Sequence, residues 1–257
     1  MSSSTSPDVV AELRSAGCVF AEEEAALLHE AAGDQAELAE LLRRRVTGLP
    51  LEQVLGWAQF CGLRISMAPG VFVPRRRTEF LAEQAIALAA PRSVVVELCC
   101  GAGAVAAAVA AAHPQAELHA ADVDPAAVAC AATNLPGAAG VTEGDLYEAL
   151  PVRLRGRIDV LVANAPYVPT GEVGLMPPEA RLHEPAIALD GGTDGLAIQR
   201  RVAQDAPHWL APGGTLLIET SRGQAPHTAE ILAAAGLLPR VLHCDQREAT
   251  VVTGTAG

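Results

Sequence analysis

The stretch VVVELCCGAGAVAAAVA, residues 94–110, decides the fold. An apolar run of five residues, broken only by Glu97, stops at two cysteines and the sequence Gly101-Ala102-Gly103. A block of alanines and valines follows, with high helix propensity and no breaker until His113-Pro114. Strand, glycine turn and helix in that order open a βαβ unit, because glycine allows the tight turn and the close backbone approach that a ligand at a helix start requires. Gly101-x-Gly103-x-x-Ala106, with Asp122 about 20 residues on, also satisfies the dinucleotide-binding pattern.

Outward from this loop the chain alternates. Strands are predicted at 93–98, 117–121, 139–142, 158–163 and 214–219, with helices at 103–112 and 124–133 and near 195–210. Such alternation implies a parallel sheet with right-handed crossovers. The tail REATVVTGT, residues 247–255, is expected to add an antiparallel edge strand. Upstream, residues 1–6 are expected to be disordered, and 7–47 read as two or three short helices stopped at Gly17 and at Gly33-Asp34. QFCGLRISM, residues 59–67, alternates around Gly62 as a β-hairpin, a proline-rich connector follows, and a helix is predicted over 78–90. Three parts are therefore expected: a helical domain over 1–50, a hairpin and connector over 51–77, and an α/β domain over 78–257.

Composition narrows the function. Hydrophobic residues make up 50% of the chain but aromatics only 3%, so the core must be built from Ala, Val and Leu. With 30 acidic and 18 basic residues the net charge is −12, which argues against a broad phosphate-binding surface and makes a nucleic-acid substrate a poor fit. No apolar stretch approaches the roughly 20 residues that span a bilayer. The N-terminus lacks the basic and apolar parts of a secretory signal. Six cysteines without a C-x-x-C pair read as reduced thiols rather than a disulfide framework or a metal site. These features predict a cytoplasmic protein with no membrane partner and no metal.

Glu97 separates the ligand classes. A carboxylate at the mouth of the loop would repel a pyrophosphate, which relies on a positive helix N-terminus. It would attract the ammonium of S-adenosylmethionine, which carries no phosphate. Asp122 closes the second strand, where it can accept from ribose hydroxyls, and Asp145-Leu146 follows the third, placed for an adenine amino group and ring. Any one of these acids alone would pass for a loop residue or helix cap. Three at successive strand ends favour a nucleoside with a cationic end.

The fourth strand breaks abruptly into Asn164-Ala165-Pro166-Tyr167. Ligands of open α/β sheets bind at that end of the strands. A nitrogen conjugated to a carbonyl or a ring is a weak nucleophile, and acceptors placed on its N–H groups aim it at an electrophile. The Asn164 side-chain oxygen and the Ala165 carbonyl can act so, Pro166 restricts Ala165 to extended geometry, and Tyr167 offers an aromatic face for substrate and sulfonium.

With these residues in view, the chain resembles the protein-(glutamine-N5) methyltransferases of HemK/PrmC type. Residues 48–83, 184–196 and 210–220 and the pair Gln224-Ala225 resemble that family's segments as well. The resemblance implies a seven-stranded Rossmann-like class I methyltransferase domain preceded by a small helical domain and hairpin. It implies that Glu97, Cys99, Cys100, Gly101, Ala102, Gly103, Asp122, Asp145, Leu146 and Asn164 bind S-adenosylmethionine. It further implies that Asn164, Ala165, Pro166 and Tyr167 hold a glutamine, that of the Gly-Gly-Gln motif of a peptide-chain release factor, with the N-terminal helices recognising that protein. Three departures mark a divergent branch: Cys99 stands where the family has its first glycine, Ala165 replaces the first proline of Asn-Pro-Pro-Tyr, and Arg76-Arg77 replace Pro-(Glu/Asp) in the connector. The alternative is an amino-methyltransferase acting on a nucleic-acid base or another small nitrogen compound. Arg75, Arg76 and Arg77 read as a solvated connector, the histidines as surface or cap residues, and 168–178 as a lid or a plain long loop.

Overall fold

The computed structural model describes residues 7–257, so the expectation for 1–6 lies outside it. Helices α1 (Pro7–Ser15), α2 (Ala21–Ala31) and α3 (Gln35–Val46) form the N-terminal part, followed by a short helix, α4 (Leu51–Leu55), that the periodicity did not reveal. Asp34 starts α3: its Oδ1 accepts from the Glu37 amide at 2.8 Å, while Glu37 returns a carboxylate oxygen to the Gly33 amide. The first bond satisfies one of the helix's orphan donors, and the second ties down the residue before the cap. Val9, Leu13, Ala25, Leu28, Leu38 and Leu42 pack into a small core of their own.

Strands β1 (Trp57–Phe60) and β2 (Leu63–Ser66) form the expected hairpin. Its turn residues Cys61 and Gly62 both have positive φ, 47° and 77°. That twist matches the strands it joins. Helix α5 (Thr78–Leu88) leads into the sheet domain.

There β3 (Val94–Leu98), α6 (Ala104–Ala112), β4 (Glu117–Asp122), α7 (Pro125–Asn134), β5 (Gly140–Glu143) and β6 (Ile158–Ala163) run in order. They are followed by α8 (Pro178–His183), α9 (Ala197–Trp209), β7 (Leu210–Glu219), α10 (Ala225–Ala234), β8 (Leu238–Cys244) and β9 (Ala249–Thr255). The seven-stranded sheet has the order β5-β4-β3-β6-β7-β9-β8. β3 pairs in parallel with β4 on one side and β6 on the other, so the chain reverses its direction of travel beside β3. That reversal opens a crevice above the strand ends.

One strand was missed and one misplaced. The tail strand β9 is antiparallel as expected, but it lies between β7 and β8 and is not the edge. The edge is β8, whose Leu238 is 69% exposed. A strand solvated along most of its length carries no apolar alternation, so its pattern gave no signal.

Every residue of β3 is buried, Glu97 included, as are Ala104 through Val109 of α6. Small side chains let α6 lie close on the sheet, which is how a core almost without aromatics closes. Both tyrosines found polar partners. Tyr147 donates to the Val202 carbonyl at 2.7 Å and stacks on Trp209. Among the histidines His119 departs from expectation: it is 2% exposed, with Nε2 3.1 Å from Glu117.

Candidate active site

A cleft of about 1160 Å3, the open space at its mouth included, lies over the ends of β5, β4, β3 and β6. Its floor is lined by Glu97, Cys99, Cys100, Gly101, Ala102, Asp122, Asp145, Leu146, Asn164 and Pro166. Sequence reasoning named all of these. Gly103, Ala165 and Tyr167 are not among the lining residues.

The two glycines of the loop do different work. Gly101 has φ +53°, and a Cβ built on it meets nothing within 4 Å, so its backbone faces open space. Gly103 has φ +72°, and a Cβ there would come within 2.9 Å of Leu135 and 3.1 Å of Ala131. It lets α6 start against α7, a packing requirement. Cys99 holds φ +54° without being glycine, and its thiol is pushed up by burial and the surrounding carboxylates.

Glu97 is 4% exposed and accepts from the Ala106 amide at 2.8 Å, in the first turn of α6. Burial raises its carboxyl to about 8; the Ala106 and Val105 amides oppose that rise and the charge of Asp122 adds to it. Burial outweighs the helix terminus here because a fully enclosed carboxylate loses its hydration. Asp122 Oδ2 accepts from Gly101 N at 2.9 Å and Oδ1 from Asp124 N at 3.0 Å, so the acid that ends β4 also holds the glycine loop. Its carboxyl too is raised by burial, against those amides. Asp145 pairs with Arg201 at 2.7 Å. That arginine, on α9, lines the cleft and was not foreseen.

The end of β6 is built differently. Asn164 Nδ2 donates to Thr78 Oγ1 at 3.4 Å. Ala165 is buried. The Tyr167 hydroxyl donates to Glu219 Oε1 at 3.3 Å, and the Arg77 guanidinium sits 5.9 Å from the ring centroid. The aromatic face expected for substrate is thus turned to Arg77, and burial pushes the phenol up to about 12. Gln224 Nε2 donates to the Tyr167 carbonyl at 2.9 Å. Cβ atoms on Gly191 and Gly195 would lie 2.6 Å from the Pro166 oxygen and 2.3 Å from the Tyr167 oxygen. Only glycine lets the 184–196 segment pass this close to the turn.

A roof closes over the floor. Phe72 and Pro74 come from the connector, Thr78 from the start of α5, and Pro185, Ile187 and Ala188 from the segment after α8. Glu184 joins them, taking Arg75 at 2.5 Å and the Val73 amide at 3.2 Å. Arg75 and Arg77 are therefore anchors, not the solvated connector expected. Residues 168–178 form a turn at Thr170–Leu175 and the start of α8; the roof comes from later residues. The roof is tied to the N-terminal helices as well: Arg45, paired with Glu24 at 2.6 Å, reaches Glu179 at 3.7 Å.

Comparison with known proteins agrees with this architecture. Residues 62–180 match the model of the methyltransferase small domain family. The chain is 38% identical over 208 residues to a release factor glutamine methyltransferase of Geobacter sulfurreducens, covering 80% of this chain and 70% of that one. It is 37% identical over 205 residues to the 4-amino-L-phenylalanine/4-methylamino-L-phenylalanine methyltransferase of Streptomyces pristinaespiralis, covering 76% and 69%. A solved 16S rRNA N2 methyltransferase of T. thermophilus, in complex with AdoMet and guanosine, shares the fold at TM-score 0.55 and 22% identity, over 78% of this chain and 50% of that one. The chain belongs to the family of the release factor glutamine methyltransferases, S-adenosylmethionine-dependent enzymes.

Proposed function

We propose that the protein methylates the side-chain amide nitrogen of a glutamine in the Gly-Gly-Gln motif of a peptide-chain release factor. One observation carries the reading: Asn164 and Pro166 line the same cleft as Glu97, Gly101, Asp122 and Asp145, across four adjacent strand ends.

The residues present fit S-adenosylmethionine. Gly101 leaves open space for a ligand edge, Glu97, Asp122 and Asp145 face a compound with an ammonium, a ribose diol and an amino group, and the one arginine among the described lining residues is already held by Asp145. Bound there, the cofactor supplies an electrophilic methyl on sulfur. Glu97 meets the ammonium, Asp122 the ribose hydroxyls, and Asp145 with Leu146 the adenine. Cys99, Cys100, Ala102 and Gly103 complete the loop that holds these groups. The Asn164 carbonyl oxygen and the Ala165 carbonyl take the N–H groups of the glutamine amide, whose lone pair is otherwise delocalised, and aim the nitrogen. Pro166 fixes that backbone, and Tyr167 anchors the turn through Glu219. The part over 1–50 recognises the protein substrate, the hairpin and connector over 51–77 roof the cleft, and 78–257 carry the chemistry. Among the described residues no helix is long and apolar enough to cross a membrane. A release factor as substrate supports a cytoplasmic location.

A second reading has a specific observation behind it. The 4-amino-L-phenylalanine methyltransferase is as similar to this chain as several release factor enzymes are. An aromatic amine of a free amino acid is also a delocalised nitrogen that the same clamp would aim. The deciding experiment offers the enzyme labelled S-adenosylmethionine with a purified release factor or with 4-amino-L-phenylalanine. Mass spectrometry should find one added methyl on the Gly-Gly-Gln glutamine. Transfer to the free amine alone would replace the first reading with the second.

A further inference from the structure

An amide side chain has two opposite ends, and a clamp built on Asn164 works only if the oxygen faces the substrate. With Nδ2 turned inward, two donors would meet and the nitrogen would be pushed away. Nothing in the sequence of the turn settles which end faces the cleft.

We infer that Thr78, backed by Glu219, is a positioning residue that fixes the orientation of the Asn164 amide. The inference rests on the proposed role of Asn164. Thr78 opens α5, is 3% exposed, and lines the cleft beside Asn164. Its Oγ1 accepts from Nδ2 at 3.4 Å, which leaves Oδ1 as the free end of the amide. A hydroxyl can equally donate, so something must draw its hydrogen the other way. Glu219 does so. It ends β7, one residue past the Ile218 that pairs with Ala163, and so stands level with Asn164 on the neighbouring strand. Its side chain is 2% exposed. Oε1 is occupied by the Tyr167 hydroxyl at 3.3 Å and Arg77 Nε at 3.4 Å. Oε2 is buried and has no hydrogen-bond partner. An unfilled buried acceptor costs free energy until a donor turns to it. Burial raises the Glu219 carboxyl, and the nearby Thr78 hydroxyl opposes that rise without making a hydrogen bond to Oε2. The sequence of bonds is then Asn164 to Thr78 to Glu219, with Arg77 balancing the charge. No atom of Thr78 or Glu219 needs to touch the transferred methyl.

The test compares Thr78→Val, which keeps the shape and removes the hydroxyl, with Thr78→Ser, which keeps the hydroxyl. Full-length enzyme is assayed with the substrate that accepts methyl. Thr78→Val should lower kcat about tenfold or more, a fraction of the loss expected when a polar group in direct contact is removed. Its KM for S-adenosylmethionine and its melting temperature should stay near wild type, and Thr78→Ser should recover most of the lost kcat. A Thr78→Val enzyme within about twofold of wild-type kcat overturns the inference. So does a Thr78→Ser enzyme as slow as Thr78→Val, since the methyl group alone would then matter. Should Thr78→Val not fold, Glu219→Gln decides: its amide can donate to Thr78 and reverse the bond order, so kcat must fall with cofactor binding intact, and an unchanged kcat overturns the inference. Asn164→Ala, run alongside, keeps the two readings apart. It should lose transfer about a hundredfold. If it keeps full transfer, the clamp itself is wrong; if it loses transfer while Thr78→Val does not, only the positioning role is wrong.

Discussion

The two halves of the cleft are held in opposite ways. Over β3 and β4, acids that face the ligand space are supported by backbone amides close by in the chain, whereas Asp145 beyond β5 is held by the Arg201 side chain. Ala106 holds Glu97 from nine residues away and Gly101 holds Asp122 from 21. Over β6 the supports are side chains and glycines far along the chain. Thr78 is 86 residues from Asn164, Glu219 is 52 from Tyr167, and Arg77 is 142 from Glu219. A local scaffold is precise because the helix and the loop that build it fold together. A distant scaffold depends on tertiary packing, and the buried Glu219 draws Tyr167 away from the cleft.

Glycine substitutions test that contrast most strongly. At Gly195 a Cβ would strike the Tyr167 oxygen at 2.3 Å and a positive φ would add strain. Gly195→Ala should therefore cost about 3 kcal/mol from overpacking and left-handed backbone together. That corresponds to a fall in melting temperature of about 6–12 °C. Gly101→Ala, with open space around it, should cost only about 1 kcal/mol of stability and act mainly on cofactor affinity. Thermal unfolding of both variants is the measurement. Equal melting temperatures would erase the distinction between the two halves.

Asp122→Ala should weaken cofactor binding by about 1–3 kcal/mol, the cost of hydrogen bonds to a charged group. The variant removes two things at once, the acceptors for ribose and the Oδ2 that holds Gly101 N at 2.9 Å. Asp122→Asn separates them, since it keeps an acceptor for Gly101 but loses the charge. Calorimetry with S-adenosylhomocysteine reads both, and unchanged affinity in Asp122→Ala would remove this residue from the site.

The same contrast explains what was legible in the sequence. Glu97, Gly101, Asp122 and Asp145 sit at strand ends within one βαβαβ run, so periodicity alone places them side by side. Asn164 is legible for the same reason. Thr78, Arg201, Phe72 and Ile187 are not, because their place depends on how the connector and the segment after α8 fold back over the sheet. Phe72 offered the one usable signal, an aromatic in a chain with few of them. Tyr167 shows the limit of motif reading. The sequence placed the residue at the turn, but the direction of its ring was settled by Glu219 and Arg77. The edge strand β8 was missed for a different physical reason: it is largely solvated and has no face to read.

Glu97 offers a pH test of the local half. Its carboxyl is raised to about 8 by burial, against an ordinary value near 4.5. The empty folded protein therefore keeps a proton that the unfolded chain has lost, and this group's contribution to stability falls as pH rises from about 4.5 to 8. An ammonium bound beside it favours the ionised form, so cofactor binding below pH 8 must release a proton. Affinity for S-adenosylhomocysteine should rise by up to about tenfold per unit between pH 6 and pH 8. Calorimetry in two buffers of different ionisation enthalpy should show the released proton, and Glu97→Gln should abolish both effects. Binding without proton release at pH 6.5 would mean that the ammonium does not meet Glu97.

The smallest effect is expected at Cys99, and its smallness is the point. A non-glycine residue at φ +54° carries a left-handed penalty of about 1 kcal/mol. Cys99→Gly would remove that strain. The glycine would also add about 0.5–1 kcal/mol of unfolded-chain freedom and give up the partly buried thiol. The opposing terms are of equal size, so melting should shift by no more than about 2 °C. Cofactor affinity should hold too, because the loop backbone already has the conformation that glycine prefers. Cys99→Val supplies the counterweight: a β-branched side chain in the left-handed region has no compensating term and should cost about 1–3 kcal/mol. A Cys99→Gly protein that melts far above wild type would show strain stored at the loop, and the local half of the cleft would then be as strained as the distant half is buried. A Cys99→Gly protein that melts far below would show that the thiol itself, packed partly buried at the end of β3, is what holds the loop closed.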